Sequence, residues 1–459
     1  MTNINAKNQY IPKSGGDSMS DKLTLKRDLS LSHVVTMGLS WMSPMIFFTS
    51  FGVLHEGSRG MLLAAYLLAF IAILFTALSY GQMAKAFPVS GSAYTYVTKS
   101  MNPFIGFLVG WAILLDYLFS CIIAVLMFGI NLHAQFTSIP SFVWILLCTL
   151  VVMIINIIGI KTSANVSKIF VSMQILFIAG FCSLLVYRAF QGGITAGWNP
   201  LNTQDGVPIS TILAGASLVC FSFLGFDSIT TMTEETKNPR KTIPRAIIII
   251  VLLAGLMYFV TAFLIQQMYP SFTFNHVDSA GFELMQSIGG PILASIFTFV
   301  IIFSVLSQGM SSMTTVTRLM FVMGKTSLLP RAFASLHPTL RTPVFNIVLM
   351  SVISLSAMFI SLETAIMFVS FGALTAFLFV NLSVIFHYII REKQRSPRDM
   401  FVRFLCPLLG AGFVFYLITL LDVSSLMLGS GWLVAGLIYY LVKRLKPATM
   451  SISKVDEAV

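Results

Sequence analysis

The chain has 459 residues, of which 56% are hydrophobic and only 10% charged, with a mean hydropathy of +0.88. Apolar segments of about 20 residues, enough to cross a bilayer, recur about twelve times between loops too short to build a soluble core. The net charge of +11 would suit a nucleic-acid binder, but its placement excludes one. With the N-terminus inside, 26 of the 28 Lys and Arg fall on inner segments, and only Arg59 and Arg188 face out. This positive-inside pattern predicts a multi-pass inner-membrane protein with both termini cytoplasmic.

The first 33 residues are polar, lack the apolar stretch of a cleaved signal, and are expected to form a cytoplasmic tail. Spans are predicted near 34–55, 62–83, 104–129, 141–160, 167–188, 211–233, 245–268, 290–317, 343–361, 364–387, 402–421 and 425–442. The first is interrupted at Ser43-Pro44, where proline removes a backbone donor and frees a carbonyl. The connection from Tyr80 to Pro103 is too long for a tight turn, and Tyr94 and Tyr96 suit a membrane interface. Span 3 carries Gly106 and Gly110, a spacing that permits close helix contact, and then Asp116-Tyr117. Span 5 holds Gln174 amid apolar residues. The sixth span is the sharpest signal: Phe221, Gly225, Phe226 and Asp227 sit where hydrocarbon should be, and a charged run with Glu234 and Glu235 follows.

A carboxylate inside a bilayer is costly unless it faces protein, water or a ligand. If five spans repeat in inverted topology, spans 1 and 6 occupy equivalent places, and paired interruptions there mark a transport site. Asp227 has a plainer explanation as a cap for the half-helix after Gly225, and both readings stand at this point. Asp116 has no basic partner in any span, Arg318 being a distant candidate. Glu234 and Glu235, near Lys237, Arg240 and Lys241, suggest a solvated or gate-forming salt network. The hydroxyl-rich run from Ser307 to Arg318 is expected to bond to its own backbone or a neighbouring helix. The five cysteines read as small core residues. No phosphate loop, metal cluster or nucleophile triad supports an enzyme, and no cofactor is expected.

Several runs resemble the amino acid–polyamine–organocation superfamily of secondary transporters. They are F-P-x-x-G-S-A-Y-T-Y (Phe87 to Tyr96), G-F-L-V-G-W (Gly106 to Trp111), F-S-F-L-G-F-D with E-E-T-K-N-P-R-K-T-I-P-R-A (Phe221 to Ala246), and T-R-L-M-F-V-M-G with H-P-T-L-R-T-P (Thr317 to Pro343). L-L-D-Y-L-F and F-G-A-L-x-A-F-x-F-V-N-L-S-V (Phe371 to Val384) are most similar to bacterial putrescine importers. The resemblance implies an all-α membrane protein of about twelve helices. Residues 34–390 would form a five-plus-five inverted-repeat core with broken helices 1 and 6, residues 391–444 two further spans, and 445–459 a cytoplasmic tail. It implies alternating access, with substrate beside the two breaks.

Carried over by position, Ser43, Met45, Phe48, Thr49, Asp116, Tyr117, Phe221, Gly225, Phe226 and Asp227 would surround the substrate, Phe221 as an aromatic gate. Asp227, Gln174, Glu234 and Glu235 would serve coupling or gating. Three departures matter. Ser43-Pro44-Met45 replaces the Gly-x-Gly-type run that binds an α-carboxylate, which points to an amine. Thr49 stands where the putrescine importers carry an acid, and Gln174 where some proton-coupled relatives carry a lysine. The expected function is proton-coupled import of a small cationic amine such as putrescine; the alternatives are an amino acid permease or exchanger, and a membrane sensor that binds without transport. The expected partners are that amine or amino acid, a proton as coupling ion, the bilayer and a possible second copy of the chain; nucleic acid is not expected.

Overall fold

The structure is a computed structural model that describes residue 25 and residues 27–136, 138–193, 208–269, 272–277, 280–421 and 423–445. Most of the expected tails at 1–33 and 445–459 lies outside the described residues, which include only 25, 27–33 and 445 of them. Among the described residues, eleven helices are long and apolar enough to cross a membrane, and the shorter apolar Val344–Met358 takes the ninth place. Apart from one isolated bridge the described chain has no β-structure. That economy follows from the solvent: hydrocarbon offers no partner for a backbone N–H, so each span must satisfy its own.

Span 1 begins at Leu31, capped by Ser30, whose hydroxyl accepts from His33 N–H while the His33 ring accepts from Ser30 N–H. It runs to Met42, breaks at Ser43 (φ 51°), and resumes as Ile46–Thr49 and Phe51–Gly57. Spans 2 to 5 are Leu62–Ala86, Pro103–Gln135, Ser141–Ile158 and Ile160–Arg188. Span 6 is helical over Ile209–Cys220, tightens to a 3₁₀ turn at Phe221–Phe223, opens at Leu224-Gly225, and continues as a 3₁₀ helix over Phe226–Glu235. Span 7 is Pro239–Met268. The helix Ala280–Lys325 bends at Gly290 (φ 66°) and Pro291, so its first ten residues form a separate arm before span 8. Spans 10 to 12 follow as Leu362–Arg391, Pro397–Thr419 and Val423–Leu445.

The connection after span 2 contains a helix not expected from the sequence, Ser92–Ser100. Tyr94 and Tyr96, predicted at a membrane interface, are buried in the bundle instead. The close-contact glycines of span 3 receive this short helix: a Cβ on Gly106 would fall 2.0 Å from Thr98 Oγ1, and one on Gly110 would fall 3.0 Å from Tyr94 Cβ. All five cysteines are free thiols, four of them buried.

Spans 11 and 12 clasp the rest of the bundle. Trp111 of span 3 and Trp432 of span 12 stack at 4.9 Å between centroids, and each indole N–H donates to the other residue's carbonyl, at 3.0 and 2.7 Å. Near the end of span 12, Lys443 donates to the carbonyls of Ser327 and Leu328.

Candidate functional site

At the span 6 break, the chain turns through Gly225 with φ 107°. L side chains rarely adopt that conformation, and a Cβ there would lie 1.8 Å from Cδ1 of Trp41. Glycine is therefore what lets span 6 lie against span 1. Two residues on, Asp227 is fully buried, and its Oδ2 accepts a hydrogen bond of 2.5 Å from the Tyr117 hydroxyl. The Ser92 hydroxyl stands 3.0 Å from the same Tyr117 oxygen. The carboxylate lies near the backbone N–H groups of Gly225 and Asp227, but Oδ1 closes no hydrogen bond of regular geometry. Gly225 holds the N-cap position of the half-helix from Phe226 and has no side chain to offer, so any capping falls to Asp227 itself. Its carboxylate sits in the first turn, where the helix dipole favours negative charge.

Asp116, one residue before Tyr117, is also buried, and its Oδ1 accepts from Ser120 at 3.2 Å. Among the described residues neither acid forms an ion pair. Arg318, the distant candidate for Asp116, is committed elsewhere: its Nε and Nη2 donate to Glu235 at 2.9 and 3.2 Å, with both side chains buried. Of the solvated or gate-forming network expected here, Glu235 forms a buried pair and not a solvated one. Glu234 is half-buried and lies 3.9 Å from Lys325 rather than bonding to Lys237, Arg240 or Lys241. The backbone on either side of Thr236 pairs with Leu29, Leu29 N–H donating to Glu235 O and Lys237 N–H to Leu29 O, both at 2.9 Å. The end of the bundle that carries the N-terminus is thus sealed.

The break in span 1 has another chemistry. The Ser43 hydroxyl meets Ser304 of span 8 at 2.5 Å, and Ser304 donates to Gln174 Oε1 of span 5 at 3.0 Å. One turn earlier, Ser40 Oγ lies within 2.8 Å of the Ser307 and Ser311 hydroxyls. Thr314, Thr315 and Thr317 bond back to their own helix, as expected for this hydroxyl-rich face. Met45 is buried at the break, Thr49 bonds to Ile46 O at 3.2 Å, and Phe48 packs edge-on against Phe177, Phe181 and Phe297. Phe226 is buried between Tyr80 and Phe377.

A small cavity lies beside the two breaks, with room for little more than a water molecule. Of the residues singled out from the sequence, Phe221 alone lines it. Trp41, Met42, Ile46, Ser120, Ile123, Leu224, Gln308 and Val369 complete the wall. Asp116 stands one side chain behind the wall, bonded to Ser120, and Asp227 stands two behind it, bonded to Tyr117, whose ring meets Trp41 edge-on at 5.3 Å. Two wall residues had a signal in the sequence. Ser120 is one turn from Asp116 on the same face, and Trp41 lies three residues before Pro44.

A model of the amino acid permease family matches residues 33–436. The chain belongs to this family. It is 39% identical over 429 residues to the low-affinity putrescine importer PlaP of Escherichia coli, covering 92% of this chain and 94% of the relative. It is 27% identical to the branched-chain amino acid permease BcaP of Bacillus subtilis (92% and 94% covered) and 27% identical to the methylthioribose transporter of the same organism (93% and 95%). The permease is accordingly a multi-pass membrane transporter rather than an enzyme.

Proposed function

We propose that this permease imports a small cationic amine such as putrescine, coupled to protons, across the cytoplasmic membrane with both termini inside. The observation that carries the reading is the pair of buried acids, Asp116 and Asp227, behind one cavity, with no cation paired to either among the described residues. An unpaired buried carboxylate is expensive, and a ligand ammonium supplies the missing charge. Trp41 and Phe221 offer aromatic faces, each worth about 0.5–2 kcal/mol against a cation. Similarity to a putrescine importer over nearly the whole chain supports the same substrate class.

An amino acid permease is the second reading, favoured by Thr49 in place of an acid and by similarity to a branched-chain amino acid permease. Radiolabelled uptake into proteoliposomes tests both. Accumulation of putrescine that a proton ionophore abolishes supports the first reading, and accumulation of an amino acid without putrescine supports the second. Binding without accumulation of any solute would leave a sensor. Thr49→Asp should tighten putrescine binding about ten- to a hundredfold if the new acid pairs with the ammonium, and should abolish transport of a neutral amino acid.

A further inference from the structure

The helix Ser92–Ser100 is not a passive connection. Its entry is strained: Gly91 has φ 125° and Ser92 φ 51°, the latter in a region that serine rarely occupies. Such outliers persist only where the surroundings over-determine them. Here the strain holds the Ser92 hydroxyl, fully buried, at 3.0 Å from Tyr117. Because Tyr117 gives its own proton to Asp227, its oxygen is the acceptor and Ser92 is the donor. The same segment grips the far end of span 6, where Ser90 Oγ accepts from Glu234 N–H at 3.1 Å, and the end of span 8, where Tyr94 donates to Thr326 at 3.2 Å.

We propose that Ser92, Tyr117 and Asp227 form an occupancy sensor that couples ligand at the span 6 break to release of the Ser92–Ser100 helix from the sealed end. This rests on the reading of Asp227 as an ammonium partner. While the carboxylate is unoccupied, it holds the Tyr117 proton in a charge-assisted hydrogen bond, roughly twice as strong as a neutral one, and Tyr117 holds Ser92 in its strained conformation. A ligand ammonium at Oδ2 takes over that acceptor. Tyr117 then loses its charged partner, Ser92 loses its oriented acceptor, and the strained turn relaxes. Ser90 and Tyr94 carry the motion to Glu234 and Thr326, beside the Glu235–Arg318 pair. Tyr117 and Ser92 are positioning residues in this scheme; the ligand contact belongs to Asp227.

The test places one cysteine at Ser100, buried at the end of the short helix, in a full-length background with the five native cysteines replaced by alanine. The rate of maleimide labelling is measured with and without saturating putrescine, alongside putrescine binding. In the parent, putrescine should change the rate about fivefold or more, as expected when a ligand shifts a conformational equilibrium. Ser92→Ala leaves Tyr117 and Asp227 in place and should bind putrescine within about tenfold of the parent, yet show no labelling response. Tyr117→Phe should also lose the labelling response, and the double variant should add nothing to that loss, as for residues acting as one unit. A normal response in Ser92→Ala or Tyr117→Phe overturns the sensor. A parent that binds putrescine without any labelling response overturns it too, leaving the transport reading intact. A parent that binds no putrescine overturns the transport reading and the sensor together.

Discussion

Spans 1 and 6 are both broken at the centre of the bundle, yet the two breaks are held by different forces. At Ser43 the side-chain hydroxyl is tied to Ser304 of span 8 and, through it, to the Gln174 amide of span 5. At Gly225 the chain admits an acid whose only side-chain hydrogen bond among the described residues comes from Tyr117, and ten residues on it is pinned by a buried ion pair. Neutral hydrogen bonds contribute about 0.5–1.5 kcal/mol each, whereas a buried charge left alone costs several. The comparison teaches that span 1 offers a fixed wall and span 6 the part whose energy depends on what is bound.

That contrast can be broken at the pinned end first. Glu235→Gln leaves the Arg318 guanidinium buried without its counter-charge and should destabilise the protein by about 3–5 kcal/mol, read as a lower midpoint of thermal unfolding in detergent. A midpoint equal to wild type would mean that the pair adds nothing to the seal. Gly225→Ala comes next. A side chain at φ 107° is strained and collides with Trp41, so together the backbone and overpacking costs reach roughly 2–5 kcal/mol. Uptake should be lost; a fully active variant would show that the close approach of spans 1 and 6 is dispensable.

Asp227→Asn sharpens the comparison, because it removes the charge while keeping an acceptor for Tyr117. Uptake should fall about a hundredfold, equivalent to about 2.7 kcal/mol, while the purified protein remains monodisperse. Near-normal uptake would reduce the acid to a structural group. Ser43→Ala completes the series at the other break. It should cost about 1 kcal/mol of stability and change uptake by less than about threefold. A loss as large as that of Asp227→Asn would make the two breaks equivalent after all.

The spans were legible from hydropathy because the bilayer imposes length and apolarity on each one separately. The breaks were legible too, since Ser43-Pro44 and Gly225 disturb the backbone locally. What lay beyond the sequence was set by contacts distant along the chain. The Ser92–Ser100 helix escaped notice because its first six residues, polar and apolar alike, are buried, which leaves no solvent face to create a period. Arg318 finds Glu235 across 83 positions, so the nearer lysines and arginines were the natural but wrong partners. The cavity wall drew Trp41, Ser120, Gln308 and Val369 from four different spans, a grouping no local pattern encodes.

The reciprocal Trp111–Trp432 clasp has a consequence for biogenesis. The two indoles are separated by 321 positions, and a ribosome adding about 5–20 residues each second needs roughly 15–65 seconds to cover that distance. Throughout that interval the Trp111 N–H and ring face lack their partner, and the groove beside span 3 stands open to lipid and to the insertion machinery. The bundle is closed only when its last helix arrives, so a ribosome that stalls before span 12 leaves a protein with every element of the transport site and no lock on its side.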